Sequence, residues 1–319
     1  MKVVMLERNS LGMDVDVSGF EKLGEFTAYP VSSEEETIER VKDADCIVVN
    51  KVNINEKTIG QAKNIKLILE TATGVNNIDL EYCKSRGIKV ANVAGYSTET
   101  VAQHTFALYF YLAEHMPYYD NYVKSGQYGN QPVFTHFENY FNELAGKTWG
   151  IVGLGSIGRS VARIAAAFGC KVVYYSASGR KYDVPYDAVD LDTLLGESDV
   201  ISIHAPLNEY TNNLFNKDTI AKMKKSAYLI NVGRGPIIND ADLKEALDNG
   251  VIAGAGLDVL GKEPIEKTNP LGEIMDSDKL VITPHVAWAS YEARYRLVQL
   301  VIKNGEKFLA GDTEGFVVG

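Results

Sequence analysis

The run Thr148-Trp-Gly-Ile-Val-Gly-Leu-Gly-Ser-Ile-Gly-Arg159 requires a strand, a tight turn and a helix in the middle of the chain. An apolar segment precedes Gly153, Gly155 and Gly158, and a helix-like stretch from Arg159 to Phe168 follows them. The first glycine permits the turn, the second lets the backbone approach a pyrophosphate, and the third lets helix and strand pack closely. The helix N-terminus then offers N–H donors and a positive dipole to phosphates. Leu154, Ser156 and Ile157 fill the turn and are expected to line the same ligand. The spacing alone is weak; strand, glycines and helix in this order supply the context it needs. A glycine-rich turn that binds nothing is the bland alternative, and that context argues against it.

A chain of 319 residues suits two domains of ordinary size. The net charge of −10 speaks against nucleic acid, because a phosphate backbone would be repelled. Cys46, Cys83 and Cys170 are scattered and form neither a metal spacing nor a disulfide framework, so a reducing cytosol is the expected home and no metal is expected. No apolar run reaches membrane-spanning length, so no membrane partner is expected.

Short apolar runs alternate with polar, helix-like stretches. Lys2–Glu7, Glu25–Pro30, Cys46–Asn50, Lys66–Thr71 and Lys89–Ala94 read as strands of a first series. Ser32 or Ser33 can cap a helix carrying Glu34, Glu35 and Glu36 in its first turn, where carboxylates suit the dipole. A long helix over Thr98 to His115 breaks the rhythm, Pro117 starts another, and an aromatic loop follows from Phe134 to Phe141. A second series then places strands at Thr148–Val152, Lys171–Tyr175, Val200–Ile203, Ala227–Asn231, Ala253–Val259 and Leu280–Ile282. A last helix, Tyr291 to Ala310, has no later strand to pack on and is expected to return to the first series. The expected fold is α/β with two doubly wound parallel-sheet lobes. Residues 1–98 plus 292–319 form one lobe, and 99–291 form the dinucleotide lobe.

The strand after the glycine helix usually ends in an acid that binds ribose hydroxyls. Here Lys171-Val-Val-Tyr-Tyr runs into Ser176, Ser178, Arg180 and Lys181, with no carboxylate. Hydroxyls and positive charge favour a 2′-phosphate and hence NADP(H). Solvated loop charges beside an NAD(H) site are the alternative.

Three further segments lie just past strand ends, where doubly wound sheets bind ligands. Asn231-Val-Gly-Arg234 supplies an arginine, Asp258 to Glu263 supplies two acids, and Thr283-Pro-His285 supplies a histidine. Singly, each has an ordinary explanation as a loop ion pair, a cap or a satisfied histidine. Together, beyond one dinucleotide site, they point to catalysis.

With Thr71-Ala-Thr-Gly-Val-Asn-Asn-Ile-Asp79 as a fourth segment in the right order, the chain resembles the D-isomer-specific 2-hydroxyacid dehydrogenases over essentially its whole length. Asn50-Lys51, the aromatic loop and Trp288 resemble its glycerate dehydrogenase and hydroxypyruvate reductase members. The resemblance implies a flavodoxin-like substrate domain and a Rossmann cofactor domain. It implies that His285 donates a proton to the developing alkoxide, that Glu263 favours its imidazolium, and that Arg234 grips the substrate carboxylate and polarises the keto oxygen. Thr73, Gly74 and Val75 would hold the carboxylate's other side, with Lys51 and Trp288 also at the substrate. Around the cofactor it implies His204, Ala205, Pro206, Thr211, Val232, Gly233, Arg234, Asp258, His285 and Ala287, with Asp258 near the nicotinamide. Asn76 stands where many relatives have aspartate, and Glu263 argues against formate oxidation.

The resemblance also implies a homodimer through residues 98–141, where Phe106, Tyr109, Phe110, Tyr118, Tyr119 and Tyr122 make an aromatic, helical stretch of which half could equally be core, and hinges near Gly95–Glu99 and Ala287–Ser290. The expected activity is reduction of a small 2-keto acid, hydroxypyruvate or glyoxylate, to the D-2-hydroxy acid by NAD(P)H. Bulky keto acids of the phenylpyruvate or 2-ketoisocaproate type are the alternative substrates. A non-enzymatic nucleotide sensor of the corepressor kind is the contrasting class.

Overall fold

A computed structural model describes residues 1–319 and divides them into two units, Met1–Ser97 with Ala289–Gly319, and Thr98–Trp288. The first unit holds β1 (Lys2–Met5), β2 (Glu25–Ala28), β3 (Cys46–Val49), β4 (Leu67–Glu70) and β5 (Lys89–Ala91). Helices α1 (Glu34–Arg40), α2 (Glu56–Ile59) and α3 (Leu80–Ser85) connect them. All strands are parallel, in the order β2-β1-β3-β4-β5. Val, Ile and Cys fill β3, and Leu and Ile fill β4 up to Glu70 at its end, because both faces are covered. Ser33 caps α1 in a reciprocal capping box with Glu36, which accounts for the acidic run there.

In the second unit, α4 (Thr98–Ala113) and α5 (Met116–Lys124) precede β6 (Thr148–Val152), α6 (Ser156–Ala167), β7 (Lys171–Tyr175), β8 (Asp187–Ala188), α7 (Leu191–Glu197) and β9 (Val200–Ile203). Next come α8 (Lys217–Ile220), β10 (Tyr228–Asn231), α9 (Asp240–Asp248), β11 (Gly254–Leu257) and β12 (Leu280–Ile282). The seven parallel strands run β12-β11-β10-β9-β6-β7-β8. The chain reverses direction across the sheet between β6 and β9, which opens a crevice beyond their carboxyl ends. The last helix, α10 (Tyr291–Leu309), packs on β4 of the first unit. No helix is long and apolar enough to cross a membrane.

The structure corrects several boundaries. Helix α6 starts at Ser156, three residues before the expected Arg159, because Gly155 is extended and Ser156 to Gly158 already turn. The strands of the first unit end one to three residues early (β1 at Met5 and β5 at Ala91, for instance), although single backbone bonds such as Leu6 N–H to Val48 O continue past them. Strand β8 was not expected; its Asp-Ala pair carries no apolar signal, and pairing with Val173 and Tyr174 makes it a strand.

Trp149 anchors the second unit's core and is fully buried. Phe106 and Tyr109 of α4 lie 4.6 and 5.3 Å from its ring, so both belong to the core and not to an exposed interface. Truncating a buried aromatic of this kind costs about 3–5 kcal/mol. The Trp149 indole N–H donates to Ser202 Oγ at 2.8 Å, which satisfies its one polar group. Tyr118 and Tyr122 stack instead on His136.

Candidate active site

The turn after β6 is built from missing side chains. Gly153 sits at φ +91°, and a Cβ there would lie 2.7 Å from the Ala205 backbone nitrogen. A Cβ on Gly158 would strike the Gly153 carbonyl, whereas one on Gly155 would meet open space. Gly155 also caps α6 without a side-chain hydrogen bond, so the first N–H groups of the helix face that space. This cradle fits a dinucleotide pyrophosphate.

A second observation agrees. His204 follows β9, and its Nε2 meets Ser202 Oγ at 2.9 Å. Its Nδ1 is buried with no partner in the chain, and burial pushes the imidazole pKa down to about 3, so the ring is neutral. A neutral ring presenting a free polar atom beside the cradle suits an uncharged part of the cofactor. Thr211 spends its hydroxyl on Pro206 O and the Asn208 N–H, so it shapes the loop around Ala205 and Pro206. Beyond β7, Ser176 and Ser178 hydroxyls lie 3.2 Å apart, and the Arg180 guanidinium stacks 5.0 Å over Tyr182. No carboxylate stands between them.

The loops beyond β10, β11 and β12 carry Arg234, Glu263 and His285. Fully buried Asn231 accepts from the Gly233 N–H and donates to Arg234 O, bracing the turn, while Val232 is buried beneath it. The Arg234 guanidinium donates to Gly233 O at 2.8 Å. Gly235 allows the loop after β11 to lie against this turn, since any Cβ there would collide with the Leu260 carbonyl. That contact brings Glu263 close: its Oε1 accepts from the Leu260 N–H at 3.0 Å, and its Oε2 lies 2.6 Å from His285 Nδ1. The pair is about one-third exposed, so a small ligand can reach the outer nitrogen, Nε2.

Asp258 is buried and does not present its carboxylate to a ligand. It accepts from Thr283 Oγ1 at 2.6 Å, Val286 N at 2.8 Å and Ala287 N at 2.9 Å. It therefore clamps the loop that carries His285. Ala287 is buried, and Trp288 packs against the core cluster that contains Trp149. Asn231, Thr283 and His104 were not legible as site residues, because nothing in their local sequence marks a loop brace.

In the first unit, the switch between β1 and β3 holds Glu7, whose Oε2 accepts from the N–H groups of Asn50, Lys51 and Val52. The loop after β4 is tied down by Thr73 Oγ1 to Val93 O at 2.9 Å and Asn92 Nδ2 to Thr73 O at 2.6 Å. Gly74 and Val75 follow within it, and Val75 O accepts from the Ile78 N–H.

Glu70, the residue before this loop, is fully buried. Its Oε2 accepts from Asn77 Nδ2 at 3.1 Å, and its Oε1 has no partner. Burial raises its pKa from 4.5 to about 9; Asn77 and Lys51 oppose the shift and Glu7 adds to it. The unfolded chain releases this proton near 4.5 and the folded chain only near 9, so stability falls as pH rises through that window and levels off above it. At pH 7 the mismatch opposes folding by about 3 kcal/mol. Glu70→Gln should flatten the decline in urea midpoint across this window. Parallel declines in both proteins would mean that Glu70 is not held protonated.

Residues 106–287 match the family described as D-isomer specific 2-hydroxyacid dehydrogenase, NAD binding domain. The chain is 38% identical to a hydroxypyruvate reductase of Blautia hydrogenotrophica, over 98% of each chain. It is also 38% identical to a glycerate dehydrogenase of Methylorubrum extorquens, over 99% of this chain and 98% of that one. Among solved structures it is similar to an acyclic imino acid reductase in complex with NADPH and D-Arg (30% identity, TM-score 0.88, all of both chains). It is also similar to D-lactate dehydrogenase from Aquifex aeolicus complexed with NAD and lactic acid (29% identity, TM-score 0.85, 100% and 99% covered).

Proposed function

The chain belongs to the D-isomer-specific 2-hydroxyacid dehydrogenases, and from that premise we propose that it reduces hydroxypyruvate or glyoxylate to the D-2-hydroxy acid with NADPH. The observation that carries this reading is the His285–Glu263 pair at 2.6 Å, beside the braced Arg234 turn and on the same sheet edge as the glycine cradle.

His285 protonates the keto oxygen through Nε2, because Nδ1 is engaged by Glu263. The Glu263 carboxylate, 2.6 Å from Nδ1, fixes the ring plane and leaves Nε2 turned to the substrate. Arg234 offers a planar fork to the substrate carboxylate and stabilises the developing alkoxide. Thr73, Gly74, Val75 and Lys51 serve the substrate's anionic end, and Trp288 limits its far side. The cofactor is held by Gly153, Leu154, Gly155, Ser156, Ile157 and Gly158 at the pyrophosphate, and by Ser176, Ser178 and Arg180 at the 2′-phosphate. When bound, the reduced nicotinamide supplies the hydride. Val133, Phe134, Phe137, Tyr140 and Phe141 form an exposed apolar surface that supports a homodimer through residues 98–141.

Initial rates with NADPH and NADH, on hydroxypyruvate, glyoxylate, pyruvate, phenylpyruvate and 2-ketoisocaproate, test the proposal. We expect hydroxypyruvate or glyoxylate to win, with NADPH preferred by about tenfold or more, the worth of one charge-assisted hydrogen bond. A bulky keto acid would overturn the substrate, and NADH preference would overturn the roles of Ser176 and Arg180. Silence on the whole panel would favour a nucleotide sensor.

A further inference from the structure

His104 projects from α4 with about one-fifth of its side chain exposed, and its Nε2 lies 2.9 Å from Thr283 Oγ1. Thr283 has a single hydroxyl proton, and it goes to Asp258 Oδ1 at 2.6 Å. Oγ1 must therefore accept from His104, which sets the imidazole as the Nε2–H tautomer. The result is a directed chain: His104 N–H to Thr283 O–H to the Asp258 carboxylate. The carboxylate in turn holds the N–H groups of Val286 and Ala287. The His285 N–H donates to Asp258 O at 2.9 Å.

His285 itself sits at φ +55°, a left-handed conformation that is uncommon for a residue with a side chain, histidine included. The bonds on either side of it converge on Asp258. Aligned hydrogen bonds strengthen one another in a buried setting, so each donor upstream tightens the clamp.

We propose that His104, acting through Thr283 and Asp258, is a positioning residue that holds His285 in this conformation and so aims its Nε2 at the substrate oxygen. The proposal rests on the reading of His285 as the proton donor. His104 Nε2 also lies 3.6 Å from Asp258 Oδ1, so it bears on the same carboxylate that clamps the loop.

Kinetics and imidazole NMR together test this. His104→Leu and Thr283→Val should each lower kcat by roughly 10- to 100-fold, as misalignment of a reacting group does, with KM for the keto acid little changed. His104→Gln, whose amide can donate from near the Nε2 position, and Thr283→Ser should recover most of the loss. A purely structural role would lower the folded fraction and would not separate kcat from KM. In the wild type, ¹H–¹⁵N spectra of the imidazoles should show His104 protonated at Nε2, with that proton broadened by exchange in Thr283→Val. Wild-type kcat in both Leu and Val variants, or an Nδ1–H tautomer, would overturn the proposal. If the wild type turns over no keto acid, the catalytic reading fails, while the tautomer still decides whether the relay exists. If keto acids are reduced and the relay is absent, this inference alone falls.

Discussion

Replacing His285 with asparagine should lower keto-acid reduction by about 10²- to 10⁴-fold, the usual worth of a positioned general acid, while dinucleotide affinity stays nearly unchanged. The two functions reside on different loops. The proposed phosphate cradle is the turn after β6 and the start of α6, whereas His285 follows β12. Glu263→Gln is the graded companion: it keeps a hydrogen-bonding group near Nδ1 but removes the negative charge that partners His285 at 2.6 Å. Its reduction rate should fall by about tenfold or more, the worth of one charge-assisted hydrogen bond. Single-turnover rates at saturating cofactor check both. Near-normal turnover in His285→Asn would remove it as the proton donor, and a wild-type rate in Glu263→Gln would remove Glu263 from its role.

Arg234→Lys should reduce kcat/KM for the keto acid by about 10²- to 10³-fold, the loss seen when one donor to a developing oxyanion is removed. Charge is conserved in this change, but the planar fork is not. The wild-type guanidinium is also pinned by the Gly233 carbonyl at 2.8 Å, and a lysine ammonium on a flexible stem has no equivalent fork to share between that carbonyl and a carboxylate. Fluorescence titration with NADPH gives the second axis. Equal losses in turnover and in dinucleotide binding would assign Arg234 to the cofactor.

Much of this was legible in the chain. The β6 turn and α6 announce themselves because tight turns and close helix packing demand glycine at set spacings. The strand positions follow from runs of branched apolar residues, as in β3 and β9. The Arg234, Glu263 and His285 segments were found because each lies just past a recognisable strand. Other features gave no local signal. Strand β8 has only Asp187 and Ala188, and becomes a strand through its neighbour β7. Asp258 reads as a possible ligand group until its carboxylate is seen filled by the loop it anchors. Phe106 and Tyr109 could be read as interface or core aromatics, and their packing on Trp149 makes them core.

Local sterics and hydrophobic periodicity are short-range, so the sequence by itself determined the alternation of strands and helices, the glycine turn and the residue types at strand ends. Burial of apolar surface is non-directional; it sets which residues face inward but not which polar groups meet. Polar pairings depend on ångström-scale placement, and here that placement follows from the strand order β12-β11-β10-β9-β6. Only the tertiary structure could join His104 to Thr283 across 179 residues of chain and set Gly235 against Leu260.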